Sequence, residues 1–184
     1  MTDEEFDEAA WRERFAEYRT EKDAFFADHP QSPVPEADRE SFDGLDYFDL
    51  DPAWRVEATL RLHDSPRTVI MATLAGSEQE YRRVATLAFT VDGESVSLAG
   101  YQFDPGEEET LFVPFRDETT GEETYDNGRY LEVELPEDVE DGDTLALDFN
   151  RAYTPFCAFN DDFSCVIPPE ENSIPVPVRA GERR

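Results

Sequence analysis

Two stretches, 54-WRVEATLRL-62 and 85-ATLAFTVDGESVSL-98, decide the fold. In the first, every second residue is apolar and the residues between are polar or charged. A period of two places the apolar side chains on one face of an extended strand. In the second, two such runs flank Asp92-Gly93, a pair typical of a tight hairpin turn. The two stretches predict antiparallel strands with one face packed on a core.

The same period recurs along most of the remaining chain. Further strands are predicted around residues 67–74, 111–115, 131–135, 145–149 and 174–179. Because no helical pattern lies between these runs, parallel pairing with crossover helices is disfavoured. The predicted fold is therefore mainly β, a single antiparallel β-sandwich or barrel-like domain with an N-terminal amphipathic α-helix.

The N-terminal region has a helical period instead. Residues 2–28 predict a helix whose start carries a capping box from Thr2 to Glu5. Spacings of four and three residues define a stripe along one face of this helix, made of Trp11, Phe15, Tyr18, Lys22 and Phe25. This stripe either packs on the β domain or mediates dimerisation. Prolines end the helix, so residues 29–53 are predicted to form an extended connection. One domain over residues 1–184 follows, with its β part at 54–184.

Acidic residues dominate the composition. The chain carries 45 Asp and Glu against 16 Lys and Arg, a net charge of −29, and Lys22 is its only lysine. This charge disfavours nucleic acid and anionic membranes as partners, and no apolar run is long enough to span a bilayer. An acidic, lysine-poor surface is typical of proteins that stay hydrated in molar salt. We expect the cytoplasm of an extreme halophile, the alternative being an acidic mesophilic protein.

Two stretches contain too many kinds of polar residue to be explained only as acidic, solvent-exposed surface. They are 115-FRDETTGEETYDNGRYLEV-133 and 147-LDFNRAYTPFCAFNDDFSCVIPPEENSIPVPVRAGE-182. The chain resembles an uncharacterised bacterial and archaeal family, domain of unknown function 1684. The matching pieces are Ser32-Pro33, 44-GLDYF-48, 111-LFVPFRDETTGEETYDNGRYL-131, 148-DFNRAYTPFCAF-159, Cys165, 168-PPEEN-172 and Ala180-Gly181-Glu182. Thr154 departs from the family pattern, which often has Asn at that position. The resemblance implies no established activity.

We expect residues 115–130 and 148–172 to build one pocket for a small polar molecule. The predicted ligand-binding residues are Arg129, Tyr125, Tyr130, Asn150, Tyr153 and Asn172. Asp117 and Asp148 are candidate catalytic bases in the alternative of a hydrolase-type enzyme, where Arg129 would stabilise charge. In a structural alternative, Asp117 caps backbone amides and pairs with Arg129, and Asp148 helps to clamp the C-terminal loop.

The remaining alternative is a non-catalytic scaffold that docks through its N-terminal helix. Cys157 and Cys165 are expected to form either a disulfide or a pair of thiols, and reduced thiols are the default in the cytoplasm. Their spacing does not match a zinc knuckle, so no metal and no cofactor is predicted.

Overall fold

Six antiparallel strands form one sheet that curls as a half-barrel. The structure is a computed structural model that describes residues 5–103 and 109–183. The sheet order is β5-β4-β3-β2-β1-β6. The strands are β1 (Arg55–Ala72), β2 (Glu78–Val91), β3 (Glu94–Gln102), β4 (Thr110–Phe115), β5 (Arg129–Glu134) and β6 (Thr144–Asp148). The mainly β prediction is confirmed, and the barrel-like form is the one found.

The first strand is longer than the sequence pattern predicts. β1 spans 18 residues and joins the two runs that were predicted as separate strands. Its register with β2 shifts between Leu62 and Arg67, where Pro66 interrupts the pattern. Proline has no N–H to donate to a ladder, so an irregularity at this point lets one strand continue past it.

One face of the sheet carries the main hydrophobic core. The apolar residues of the predicted alternation point into it, including Ala58 and Leu60 of β1 and Leu87 of β2, all fully buried. The predicted strand at 174–179 is not a strand in the structure. That segment still alternates, and it adds to the core the side chains of Ile174, Val176, Val178 and Ala180.

Asn172 joins two strands that otherwise barely pair. β3 and β4 share the register pair Tyr101 with Phe112. Beside it, the fully buried Asn172 amide accepts from the Ala99 N–H at 2.8 Å and donates to the carbonyls of Ala99 and Pro114 at 2.9 and 2.8 Å. One side chain therefore replaces backbone bonds that a continuous ladder would supply.

The chain forms two compact units, Met1–Leu45 and Asp46–Arg184, and the sheet belongs to the second. The first unit contains α1 (Glu8–Asp28). Asp7 is the N-cap of this helix, and its carboxylate accepts a hydrogen bond from the Ala10 N–H at 3.0 Å. The helix thus begins later than predicted, and the Thr2 part of the expected capping box lies outside the described residues. Within residues 5–103 and 109–183, no helix is both long and apolar enough to cross a bilayer.

The segment after α1 is tied back to the helix within the first unit. The Ser32 hydroxyl donates to the Phe26 carbonyl at 2.5 Å, and Asp23 accepts from the Leu45 N–H at 2.9 Å. The segment predicted as an extended connection also contains short 3-10 helices at Glu36–Ser41 and Pro52–Trp54. Whether the two units form one domain in solution stays a prediction.

Asn172→Ala tests the bridge between β3 and β4. The substitution leaves three buried backbone groups without partners, so we expect the free energy of unfolding to fall by about 3 kcal/mol in urea titrations. Asn160→Ala is the matched control, because Asn160 accepts one exposed turn bond from the Asp162 N–H. Equal losses in the two variants would contradict the bridging role.

Candidate functional site

A pocket of about 320 Å³ opens on the second unit, on the face of the sheet opposite the main core. Strand alternation explains the division: Leu111 and Val113 of β4 enter the main core, whereas Phe112 between them lines the pocket. Its walls are mainly aromatic, built from Tyr81, Tyr101, Phe103, Phe112, Tyr130 and Tyr153.

The aromatic rings contact one another along the pocket wall. Tyr81 stacks on Phe112 with ring centroids 5.4 Å apart, and Phe112 meets Tyr130 edge-on at 4.8 Å. Tyr130 in turn meets Tyr153 edge-on at 5.8 Å, and the backbones of these two residues exchange hydrogen bonds of 2.9 and 3.0 Å. Such contacts stabilise a preformed wall beyond simple burial.

The tyrosine hydroxyls at this wall are held by protein acceptors. Tyr130 donates to the Val166 carbonyl at 2.5 Å, and Tyr101 donates to the Glu171 carboxylate. Burial raises the pKa of both tyrosines well above the ordinary value, and for Tyr101 the neighbouring Glu171 adds to the effect. Both hydroxyls therefore stay neutral donors at neutral pH.

The described lining of the pocket carries an acidic side chain and no basic one. Among its described lining residues none is Lys, Arg or His, and Glu132 contributes a carboxylate that accepts from the Tyr153 hydroxyl at 3.2 Å. Next to the wall, Glu171 pairs with Arg83 at 3.1 Å. Burial raises the pKa of Glu171, but the hydrogen bonds from Tyr101 and Arg83 outweigh it and hold this pKa below its usual value.

Cys165 also lines the pocket, whereas Cys157 is buried and is not one of the lining residues. Both cysteines are free thiols in the structure. Hydrogen bonding from the Cys157 thiol and from the backbone of Cys157 and Phe156 lowers the pKa of Cys165 to about 7 despite burial. Interaction with Cys165, together with burial, raises the pKa of Cys157. Cys165 is therefore the more acidic of the two thiols.

Arg129 and Asp117 lie away from the pocket, in a buried ion pair. Arg129 Nη2 is 3.5 Å from Asp117 Oδ1, and the two side chains are 0% and 1% exposed. The guanidinium donates to the carbonyls of Val178, Ala180 and Glu182 at 2.8, 2.5 and 3.2 Å. Burial lowers the pKa of Arg129, and Asp117 opposes that effect. The pairing of Asp117 with Arg129 is the one in the structural alternative, and in the structure this pair also holds the C-terminal segment.

Other predicted site residues also form hydrogen bonds within the protein. Asp148 accepts from the Asn150 N–H at 3.0 Å, and the Asn150 amide exchanges hydrogen bonds of 2.9 and 3.1 Å with the backbone of Asp51. Asn172 lies between β3 and β4, as described above. The Tyr125 hydroxyl is 3.8 Å from Cys157 Sγ, and neither residue lines the pocket. Of the predicted ligand-binding residues, the structure brings Tyr130 and Tyr153 to the pocket.

Sequence reasoning placed Arg129 and Tyr130 in one site although they are consecutive in a strand. Neighbouring strand residues face opposite sides of a sheet, so both cannot line one pocket. The lining residues outside the two predicted stretches are Gln79, Tyr81, Tyr101, Gln102, Phe103, Thr110 and Phe112, and Glu132 lies just beyond the first stretch. Their signal was present: aromatic side chains occupy strand positions that alternate with the core, where a solvent-facing sheet carries polar residues.

Arg129→Met tests the structural role of the buried pair. The variant leaves Asp117 as an uncompensated buried charge and removes three hydrogen bonds to the C-terminal segment, so we expect the free energy of unfolding to fall by about 3–5 kcal/mol. Arg179→Met is the control, since Arg179 forms an exposed pair with Glu123 at 2.8 Å and should leave the urea midpoint nearly unchanged. A mild effect of Arg129→Met, equal to that of Arg179→Met, would refute this role.

Comparison with known proteins places the chain among its relatives. None of the curated proteins matches it. It is similar to the solution NMR structure of an uncharacterized protein of Haloarcula marismortui, with 48% identity and a TM-score of 0.76, over 96% of this chain and 95% of that one. The family model described as protein of unknown function (DUF1684) matches residues 40–183. The chain therefore belongs to the DUF1684 family.

Proposed function

We propose that the protein binds a small organic cation in the aromatic pocket. The observation that carries the proposal is the composition of the wall: six Tyr and Phe rings in mutual contact, a carboxylate at Glu132, and no basic side chain among the described lining residues. Ring faces attract a cation by about 0.5–2 kcal/mol each, and a nearby carboxylate adds to this attraction. An anionic ligand would find no counter-charge in this lining.

The size of the pocket agrees with a small ligand. A volume of about 320 Å³ is at the lower end of small-molecule sites. Quaternary ammonium groups suit such aromatic walls because their charge is spread over methyl groups that also pack against rings. The geometry gives less support to the hydrolase alternative, because the Asp117 carboxylate is buried and accepts hydrogen bonds from Thr119 and Val178. The scaffold alternative needs an exposed apolar stripe on α1; Tyr18 of the predicted stripe is exposed, but Trp11, Phe15 and Phe26 are buried.

Choline and its neutral isostere 3,3-dimethylbutan-1-ol provide a matched test of the proposal. A dissociation constant of a few tens of millimolar would stabilise the native state by about 0.7 kcal/mol at 0.1 M ligand, so we expect choline to raise the melting temperature by about 2 °C. The alcohol has the same shape without the charge and should leave the temperature unchanged. Choline chloride is compared with an equal concentration of potassium chloride, at constant total salt.

Two variants locate the effect on the protein. Glu132→Gln removes the carboxylate at the pocket and should reduce the choline shift by at least half. Glu134→Gln, two residues further along β5 and outside the lining, should retain it. Equal shifts with choline and the alcohol, or no shift with either, would contradict a cation site.

We further propose that the protein is a cytoplasmic protein adapted to molar salt. A net charge of −29 on 184 residues supports this, because self-repulsion on that scale is screened only at high ionic strength. Two thiols without a disulfide agree with a reducing compartment.

The salt dependence of stability tests this adaptation. We expect the urea midpoint to rise continuously as potassium chloride increases from 0.1 M to 3 M, because screening removes repulsion within the folded chain. Raising sodium sulfate and sodium chloride in parallel separates screening from the general stabilisation by excluded salts. A midpoint that is already maximal at 0.1 M would show that the acidic surface needs no salt.

A further inference from the structure

Two arginines, Arg67 of β1 and Arg83 of β2, lie opposite each other on the face of the sheet that carries the pocket. The strand register pairs Arg67 with Arg83, and Arg83 in turn with Tyr101 of β3. Residues that are paired across antiparallel strands project from the same face, and Tyr101 belongs to the pocket wall. Neither arginine is a lining residue of the pocket. Arg67 and Arg83, the arginine pair, are therefore a separate feature of this face.

The guanidinium of Arg83 is held in place by neighbouring side chains. Its Nε donates to Glu171 Oε1 at 3.1 Å, and its Nη1 lies 3.2 and 3.3 Å from the two ring nitrogens of His63. His63 Nε2 lies in turn 2.9 Å from the Thr86 hydroxyl. Within the part of the chain that the structure describes, the hydrogen bonds of this guanidinium use Nε and Nη1, so Nη2 can donate to a ligand. The side chain is 18% exposed, so its charge is partly removed from water.

Glu171 balances one of the two positive charges of the arginine pair. It forms an ion pair with Arg83, whereas Arg67 is exposed. Burial raises the pKa of Glu171, but hydrogen bonds from Tyr101 and Arg83 hold it below its usual value. The charge of Arg67 contributes to the same lowering, so Arg67 lies close enough to act on this carboxylate. Two guanidinium groups thus face one carboxylate, and positive charge is in excess.

We infer that the arginine pair binds the carboxylate group of a small organic acid. Like charges directly opposite on neighbouring strands are destabilising, and a carboxylate bound between the two arginines removes this repulsion. Its single negative charge matches the excess that Glu171 leaves, and its planar pair of oxygens fits the N–H groups of a guanidinium. His63 and Glu171 position Arg83 for this contact. Because neither arginine lines the aromatic pocket, the inference is independent of the cation site.

Amide chemical shifts of the isotope-labelled full chain, titrated with potassium acetate, test the site. Potassium chloride is exchanged for potassium acetate at constant pH and constant ionic strength, so that only the anion changes. We expect shifts that saturate at His63, Arg67 and Arg83. Acetamide has nearly the same shape without the charge and should leave these residues unchanged. Equal shifts with acetamide, or no saturable shift with acetate, would overturn the inference.

Arg67→Gln removes the exposed charge of the pair and keeps a long polar side chain. It should weaken acetate binding about tenfold, because the bound carboxylate loses its charged donors on β1. Arg61→Gln is the matched control, since Arg61 is also exposed on β1 and pairs with Asp141 at 3.6 Å. This control should keep the affinity of the unaltered protein. Unchanged affinity in Arg67→Gln, or equal weakening in both variants, would overturn the assignment to the arginine pair.

Discussion

The buried guanidinium of Arg129 determines how the sheet is covered. It sits beneath the C-terminal segment and donates to three carbonyls of that segment, while Asp117 balances its charge. The chain then turns at Gly181, where φ is +78° and a side chain would lie 2.5 Å from the Ala152 carbonyl oxygen. Fixing these residues in place carries Val178 and Ala180 into the main core. One face of the sheet is thereby closed by the protein's own C-terminal segment.

Because that face is covered, the pocket lies on the opposite face of the sheet. Along β5, Arg129 and Leu131 belong to the closed face, whereas Tyr130 and Glu132 belong to the open one. The Asn172 amide keeps β3 and β4 joined beside the pocket although these strands barely pair. The aromatic wall is therefore carried by strands that are held together, which lowers the cost of ordering a site on binding.

Much of the fold could be predicted from the sequence because alternation is a local property. The alternating runs at β1, β2 and β4 each predict which residues enter the core, and these residues are buried in the core of the structure. The candidate site was harder, since Asn172 contacts Ala99 across 73 residues and Arg129 contacts Ala180 across 51. Polar residues that hold distant segments together look like binding residues in a sequence. Only the strand parity of Arg129 and Tyr130, which places them on opposite faces, could have separated the two roles.

Chemical-shift mapping of the isotope-labelled full chain, titrated with choline, tests most directly that the aromatic face is the binding face. The account predicts shifts that grow with choline at Tyr81, Phe112 and Tyr153, which line the pocket. Asp148 and Asn150, which bind the protein's own backbone, should remain unchanged. Shifts centred on Asp148 and Asn150, or none at the pocket residues, would contradict it.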